Sequence, residues 1–402
     1  MTRRFTDMRL GLFVHYLFFD AVRSLGGEPI GRRIDGTLVG SLDELATGLD
    51  VENLADAAKT MRAEYVIFTA WHANMNALFP SAAMERWRGG HCSRRDVVAE
   101  LAEALRRRGI GLMVYVHPSD GHDFSKEEQD HLGWNDAPPY ARWNDFINEV
   151  IEEMVQRYRG RVLGYWVDGG TPPQFEPAAD RLREAIRRAD PQAAVVQNEA
   201  FTPDRFRRWA DLGCREWIRE PLHCETLSTA AMITRSWWAS HTVAMLTPEV
   251  ALRSTVVQAA VAGIEGGGAA WSAGPYPGGH WEAGVEDFFA RLGRYVEAVA
   301  PALFGTQPSE SFVTAAGPTS FWQVDWAATR SADSATTWLH VLRPPVTREL
   351  SLPPPKDGRV FREARLLSKG HSVAVQQDAT GVTLTLGAGD GWDRLDTVIE
   401  MR

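Results

Sequence analysis

The chain has 402 residues, of which 44% are hydrophobic and 24% charged, with a formal net charge of −9. That length and apolar share exclude a disordered or fibrous chain and allow a large core spread over more than one domain. The acidic balance argues against nucleic acid as a partner, and no run of about 18 apolar residues is available to span a membrane.

Residues 10–19 (LGLFVHYLFF) are almost continuously apolar, as a strand buried on both faces would be, and His15 interrupts them. Residues 20–48 are Gly- and charge-rich and predict a long loop. A helical pattern over 51–61 follows Asp50, a fitting N-cap. Residues 65–72 (YVIFTAWH) read as a second strand that ends on Trp71 and His72. A helix over 96–108 carries basic residues at its C-terminal end, favourable for the dipole, with Gly109 as the residue that closes it. Residues 110–117 (IGLMVYVH) predict the third strand. The loop 117–123 then gathers His117, Asp120, His122 and Asp123. Those side chains could ligate a divalent metal, but Pro118 and Gly121 mark a turn and the spacing matches no zinc signature. A helix over 144–158 leads to the fourth strand, 162–168. A helix over 177–188, a strand over 193–196 running into Gln197-Asn198-Glu199, and a short strand around 224–226 follow. The pattern ends with a helix over 248–264, a strand entered through 266–272 and a helix over 285–298.

This alternation is that of a parallel-sheet α/β domain of the (β/α)8 type, with one element weak or missing. An open doubly wound sheet is the alternative, although neither a Gly-x-Gly-x-x-Gly nor a P-loop lysine motif is present. After Phe304 the pattern changes. Segments 319–326, 336–343, 360–367, 371–376 and 381–386 are short and alternating, and turn residues separate them. They predict an antiparallel β-sandwich, with the Pro-rich stretch 344–355 read as hairpin turns. Residues 1–306 are thus expected to form the barrel and 307–402 the sandwich.

Three cysteines, Cys92, Cys214 and Cys224, have no metal-type spacing, as in a reducing compartment without a disulfide framework. No apolar signal region follows residues 1–7, so a cytoplasmic location is expected. The expected partners are small molecules, neither nucleic acid nor membrane, and the chain is compatible with a homo-oligomer. No cofactor is called for.

The fourth strand ends in one carboxylate followed by two glycines, Trp166-Val167-Asp168-Gly169-Gly170. Catalytic groups of an α/β barrel sit at the C-terminal ends of its strands, but a strand-end Asp can also simply cap the loop that follows. His15, His72 and Tyr115 arrive at the ends of other strands and favour the catalytic reading. Fifteen tryptophans suit both a core and the apolar faces of sugars.

Five stretches together resemble family 29 of the glycoside hydrolases, the α-L-fucosidases. Leu12-Phe13-Val14-His15 is similar to a first strand ending in His-Trp-Gly. Residues 65–72 with Ala77-Leu78-Phe79-Pro80-Ser81 resemble a segment bearing His-His-Asp-Gly. Arg108-Gly109-Ile110-Gly111-Leu112 leading to Tyr115 resembles the third strand, and Trp166-Val167-Asp168-Gly169 resembles the Trp-Phe-Asp-Gly that carries the nucleophile. Gly266-Gly267 through Gly274-Pro275, then Gly278 and Phe304-Gly305-Thr306, resemble the barrel-closing segment. The resemblance covers nearly the whole chain and implies a retaining mechanism with two carboxyl groups. It makes Asp168 the nucleophile, and His15, Tyr16, Trp71, His72, Tyr115, His117 and Trp166 the lining of the sugar pocket. Cys224-Glu225-Thr226 is similar to the family's Trp-Glu-Thr, so Glu225 is the first choice for the acid/base. Glu199 is the second, and Glu216 and Glu220 flank Trp217 in an apolar setting suited to a general acid.

The chain also departs from the pattern. Tyr16-Leu17 replaces Trp-Gly, Ala73 replaces the second His, Asn74-Met75 replaces Asp-Gly, and Ser272 stands where the family has Asn. Strand five ends in Gln197-Asn198-Glu199 where an Arg is common. The expected function is a retaining exo-glycosidase acting on a small glycoside or glycosylated metabolite with a fucose-like or other deoxy sugar. A divergent member that binds a sugar or secondary metabolite without hydrolysis, or catalyses another reaction, is the alternative. A metal-dependent hydrolase using His72, His117, Asp120 and His122 is the third reading.

Overall fold

The computed structural model describes residues 4–18, 31–118, 120–168, 179–198, 210–216, 227–261, 268–313 and 324–402. Eight parallel strands close into a barrel in sequence order, β1 to β8, with β1 paired to both β2 and β8. They are β1 Leu10–Val14, β2 Tyr65–Thr69, β3 Gly111–Val116, β4 Gly164–Val167, β5 Ala194–Gln197, β6 Leu212–Glu216, β7 Leu227–Met232 and β8 Ala269–Ser272. The barrel is therefore complete, and the open-sheet alternative falls. The element the sequence left out is β6, and the strand expected around 224–226 begins at Leu227.

Period-two alternation explains both cores. One set of strand residues, Phe13, Tyr65, Ile67, Met113, Tyr115, Trp166, Val196, Leu212, Cys214 and Ala270, fills the barrel interior with Phe5 and Met8 beneath. The alternate set, including Leu12, Val14, Val66, Phe68, Val114, Val116 and Val167, packs outward into the helical layer. Gly11 is required by this filling, because a Cβ there would lie 2.2 Å from the Tyr65 ring.

The outer layer comprises α1 Leu42–Gly48, α2 Val51–Thr60, α3 Ala82–Trp87, α4 Val97–Arg106, α5 Lys126–Leu132, α6 Ala141–Arg157, α7 Ala179–Ala189, α8 Pro248–Val261 and α9 Val285–Leu303. Asp50 and Asp96 cap α2 and α4, each accepting from a backbone N–H three residues on. Helix α1 lies inside the stretch read as loop. It is capped by the Ser41 hydroxyl and anchored by Leu42, Leu45 and Ala46, a signal diluted by the glycines around it. Among the described residues no helix is long and apolar enough to cross a membrane.

The C-terminal strands are β9 Gln307–Pro308, β10 Trp326–Arg330, β11 Thr337–Val341, β12 Glu349–Leu352, β13 Ala364–Leu366, β14 Ser372–Asp378, β15 Gly381–Thr385 and β16 Thr397–Met401. They run in the antiparallel order β12-β15-β14-β13-β16-β11-β10-β9. Strand β14 pairs with β13 at its start and with β15 along the rest, which lets the two halves fold over one core that holds Leu339, Leu352, Val382, Leu384 and Ile399. This is the expected sandwich architecture. Strands β9, β12, within the Pro-rich stretch, and β16 were not expected, and the strand expected over 319–326 is β10, which begins at Trp326, with 319–323 outside the described residues.

The sandwich docks on the barrel helices. Arg253 of α8 donates to the carbonyl of Leu342 at 2.5 Å and to that of Val324. The Thr329 hydroxyl donates to the Ala302 carbonyl at 2.7 Å, and Val324, Ala327, Leu342 and Val398 join the barrel's outer core. His340, fully buried here, places Nδ1 2.6 Å from Asp396 and Nε2 3.2 Å from the Ala302 carbonyl.

Candidate active site

The alternation that fills the barrel also sets what stands at its C-terminal mouth. Continuing the inward parity one step past Phe13, Tyr115, Trp166, Val196 and Ala270 reaches His15, His117, Asp168, Asn198 and Ser272. Asp168 is held at this level by its own N–H, which donates to the Val116 carbonyl at 2.9 Å.

Both oxygens of Asp168 are engaged. The Tyr115 hydroxyl donates to Oδ2, and Asn198 Nδ2 donates to Oδ1 at 2.7 Å. Burial pushes this carboxyl up. It is overcome by the imidazoles of His117 and His72 and by the hydrogen bonds from Tyr115 and Asn198, which hold the pKa below the usual carboxylate value. The group is therefore ionised at neutral pH and oriented by two donors.

Imidazoles form the wall beside it. The His72 ring stacks on Tyr115 at 5.2 Å and 19°, and His117 lies 5.1 Å from His72. His15 lies 5.7 Å from His72 and 5.5 Å from Tyr115. Its pKa falls well below the usual histidine value, first through burial and then through repulsion from His72, with His117 adding to it and Asp168 opposing. His15 is thus neutral at physiological pH. Its Nδ1 lies 3.4 Å from the Ser272 hydroxyl. Asp120 faces His117 Nδ1 at 3.1 Å and His72 Nδ1 at 3.5 Å.

The remaining expected pocket residues divide. Trp166 is fully buried, packed between Phe13 and Phe5, and belongs to the floor rather than to an open wall. Trp71 is a correction. Strand β2 stops at Thr69, and the Trp71 ring turns outward onto Phe79, 6.3 Å away in the helical core. Tyr16 is another, because its hydroxyl donates to the Leu45 carbonyl of α1 at 2.8 Å and its role is to tie the strand end to the helix. Glu225 and Glu199 lie outside the described residues, as do Glu220 and Trp217.

Three participants were not among the expected site residues. Asn198 was noted only as part of a polar strand end, and strand parity would have found it. Trp237 packs on His15 at 5.3 Å and Trp238 meets His72 edge-on at 6.5 Å. A Trp-Trp pair after a strand was the available signal. The metal reading loses its donor set. Among the described residues the group with mutually close donor atoms, within 4.8 Å, is Asp120, His122 and Asp123, not the expected His72, His117, Asp120 and His122.

Comparison with known proteins places these features. Residues 45–300, more than half of the chain, match the family model described as alpha-L-fucosidase. Alpha-L-fucosidase 1 of Arabidopsis thaliana is 30% identical over 161 residues, which are 38% of this chain and 29% of that protein. The match thus spans less than a third of the plant protein's length. The alpha-L-fucosidase isoenzyme 1 of Paenibacillus thiaminolyticus superposes with a TM-score of 0.73 at 18% identity, over 99% of this chain and 97% of that one. An alpha-L-fucosidase of Bacteroides thetaiotaomicron, solved as a trapped covalent intermediate with 2-fluoro-fucosyl fluoride, gives a TM-score of 0.73 at 18% identity over 99% and 94%.

Proposed function

Because the chain belongs to the α-L-fucosidase family of glycoside hydrolases, we propose that it is a retaining exo-glycosidase. Its proposed substrate is a small glycoside or glycosylated metabolite bearing a fucose-like or other deoxy sugar. The observation that carries this reading is the setting of Asp168, ionised at a strand end and aimed by Tyr115 and Asn198. A carboxylate retains lone pairs after accepting two hydrogen bonds, so it can still attack.

In the first step an Asp168 oxygen bonds to the anomeric carbon, the bond to the aglycone oxygen breaks, and a second carboxyl group protonates that oxygen. In the second step the same group, now a carboxylate, takes a proton from water. The water oxygen bonds to the anomeric carbon and the Asp168 ester breaks, restoring both groups. Glu225 remains the first proposal for this acid/base and Glu199 the second. Neutral His15 can donate or accept one hydrogen bond at each ring nitrogen, which suits a sugar hydroxyl. The trapped covalent intermediate of the Bacteroides enzyme supports the two-step scheme.

Proton NMR during hydrolysis of an aryl α-L-fucoside tests the reading. The first product formed is the α anomer, and Asp168→Gly lowers kcat by about a thousandfold or more. Azide then rescues the variant and gives the β-azide. Wild-type turnover in Asp168→Gly overturns the assignment. The second reading, binding without hydrolysis, is favoured by Ser272, which stands in place of an Asn. Its hydroxyl is turned to His15 and to the Trp237 carbonyl, 3.5 Å away. Thermal stabilisation by free sugar with no hydrolysis of any aryl glycoside identifies that case.

A further inference from the structure

Asp120 is a carboxylate in an uncommon position. It opens the short turn Asp120–Asp123 after β3, and its side chain is only 4% exposed. Burying a carboxylate costs several kcal/mol unless it has partners. Among the described residues no Lys or Arg pairs with it, and neither its Oδ2 nor the Nδ1 of His117 that faces its Oδ1 makes a well-formed hydrogen bond. Its partners are imidazoles from two different strand ends. Oδ1 lies 3.1 Å from Nδ1 of His117, and Oδ2 lies 3.5 Å from Nδ1 of His72. Both rings keep some exposure, 13% for His117 and 16% for His72, while Nδ1 of His117, the nitrogen facing Asp120, is itself buried.

We propose that Asp120 is a positioning residue of the sugar pocket, turning Nδ1 of His72 and of His117 toward itself and so presenting Nε2 of both rings to the substrate's hydroxyls. The proposal rests on the glycosidase reading for what those nitrogens bind, but not for how the rings are held. A carboxylate only accepts hydrogen bonds, so the nitrogen facing it carries the proton in the neutral ring, and the other is left as an acceptor. A sugar hydroxyl is a donor to that acceptor. One carboxylate with two oxygens faces two rings at once, Oδ1 toward His117 and Oδ2 toward His72. At 3.1 and 3.5 Å the two contacts are within reach of hydrogen bonds that a bound substrate would tighten. Asp120 also continues a line of contacts that ends at Asp168. The carboxylate holds His72, His72 stacks on Tyr115, and Tyr115 bonds Asp168.

The test reads the rings before it reads activity. In protein labelled with 15N-histidine, side-chain correlation spectra report which ring nitrogen bears the proton, with His72→Gln and His117→Gln assigning the signals. Both rings are expected as the Nδ1–H tautomer in the unmodified protein, and Asp120→Asn is expected to abolish that preference. On an aryl fucoside, Asp120→Asn raises KM by about tenfold or more while kcat changes by less than about threefold. Adding it to a protein already carrying His72→Ala and His117→Ala has no further effect on KM. Nε2–H tautomers in the unmodified protein overturn the proposal, as does an unaltered KM in Asp120→Asn. The tautomer measurement needs no substrate, and its deciding spectrum is that of the unmodified protein, the His72→Gln and His117→Gln spectra serving only to assign it. A chain that hydrolyses no fucoside but shows Nδ1–H rings defeats the glycosidase reading and leaves the positioning role standing.

Discussion

Replacing Tyr115 with phenylalanine removes one oxygen and leaves the ring that stacks on His72 at 5.2 Å. That oxygen carries the proton donated to Asp168 Oδ2. A hydrogen bond to a charged acceptor contributes about 1.5–3 kcal/mol. One pKa unit corresponds to about 1.4 kcal/mol, so the Asp168 carboxyl should rise by about 1 to 2 units in Tyr115→Phe. The sign follows from the reactive form. Burial raises this carboxyl, but His117, His72, Tyr115 and Asn198 together hold it below its usual value. In the proposed mechanism the attacking species is the carboxylate, so activity is present above the folded pKa and lost as pH falls through it. Weakening one of the lowering influences therefore moves the acid limb of kcat/KM to higher pH. The assay is the pH profile of kcat/KM for an aryl glycoside, which reports groups of the free enzyme. The plateau also falls, because one of the two donors that aim the carboxylate is gone. An acid limb that moves by less than about 0.3 unit refutes the claim that Tyr115 tunes the reacting carboxylate.

Asn198→Asp places a second carboxylate 2.7 Å from Asp168 Oδ1. Two such groups share a proton, so the neutral-pH rate should collapse while Asn198→Gln retains part of it; equal rates in both variants contradict the role. Trp71→Leu should lower Tm through lost core packing, at about 3–5 kcal/mol for the comparable loss to alanine, and leave KM of the folded enzyme unchanged. His72→Ala should do the reverse, and a raised KM in Trp71→Leu would restore Trp71 to the pocket. His340 is buried, which disfavours its charged form, yet Asp396 and the Ala302 carbonyl raise its pKa above the usual value. Its contribution to stability is complete below the unfolded value and lost as pH rises through the folded one. Tm should therefore fall as pH rises through and above the usual histidine range, and His340→Gln should flatten that dependence.

Much of the fold was legible because buried parallel strands are written as apolar runs. β1, β2 and β3 are of that kind; β3 was found within one residue of its ends, while β1 and β2 were read five and three residues too far at their C-terminal ends. β6, Leu-Gly-Cys-Arg-Glu, and β7, Leu-Ser-Thr-Ala-Ala-Met, are not. They contain small and polar residues, and register with their neighbours, not composition, makes them strands. β12 was hidden by prolines on both sides of it, since Pro punctuates hairpins as readily as it ends strands. The site shows the same division. Asp168, His15, His72 and Tyr115 were legible as chemistry-bearing residues at strand ends, and the family resemblance is borne out by the model match over 45–300. Trp71 was misplaced because the strand was read three residues too far, beyond Thr69, and the alternation that assigns faces does not continue past a strand's true end. Asn198 was within reach of strand parity, whereas the role of the Trp237-Trp238 pair needed the closed barrel, which brings the segment after β7 to the mouth that Asp168 occupies.

The proposed mechanism turns on one bond, that between Asp168 and the anomeric carbon. Incubation with a 2-fluoro-fucosyl fluoride slows the second step more than the first and lets the ester accumulate. Intact-mass and peptide analysis then locate it. One added fluorosugar per chain is expected, on the peptide containing Asp168, and none on Asp168→Asn. An adduct on another carboxylate, or steady hydrolysis with inversion and no adduct, contradicts it.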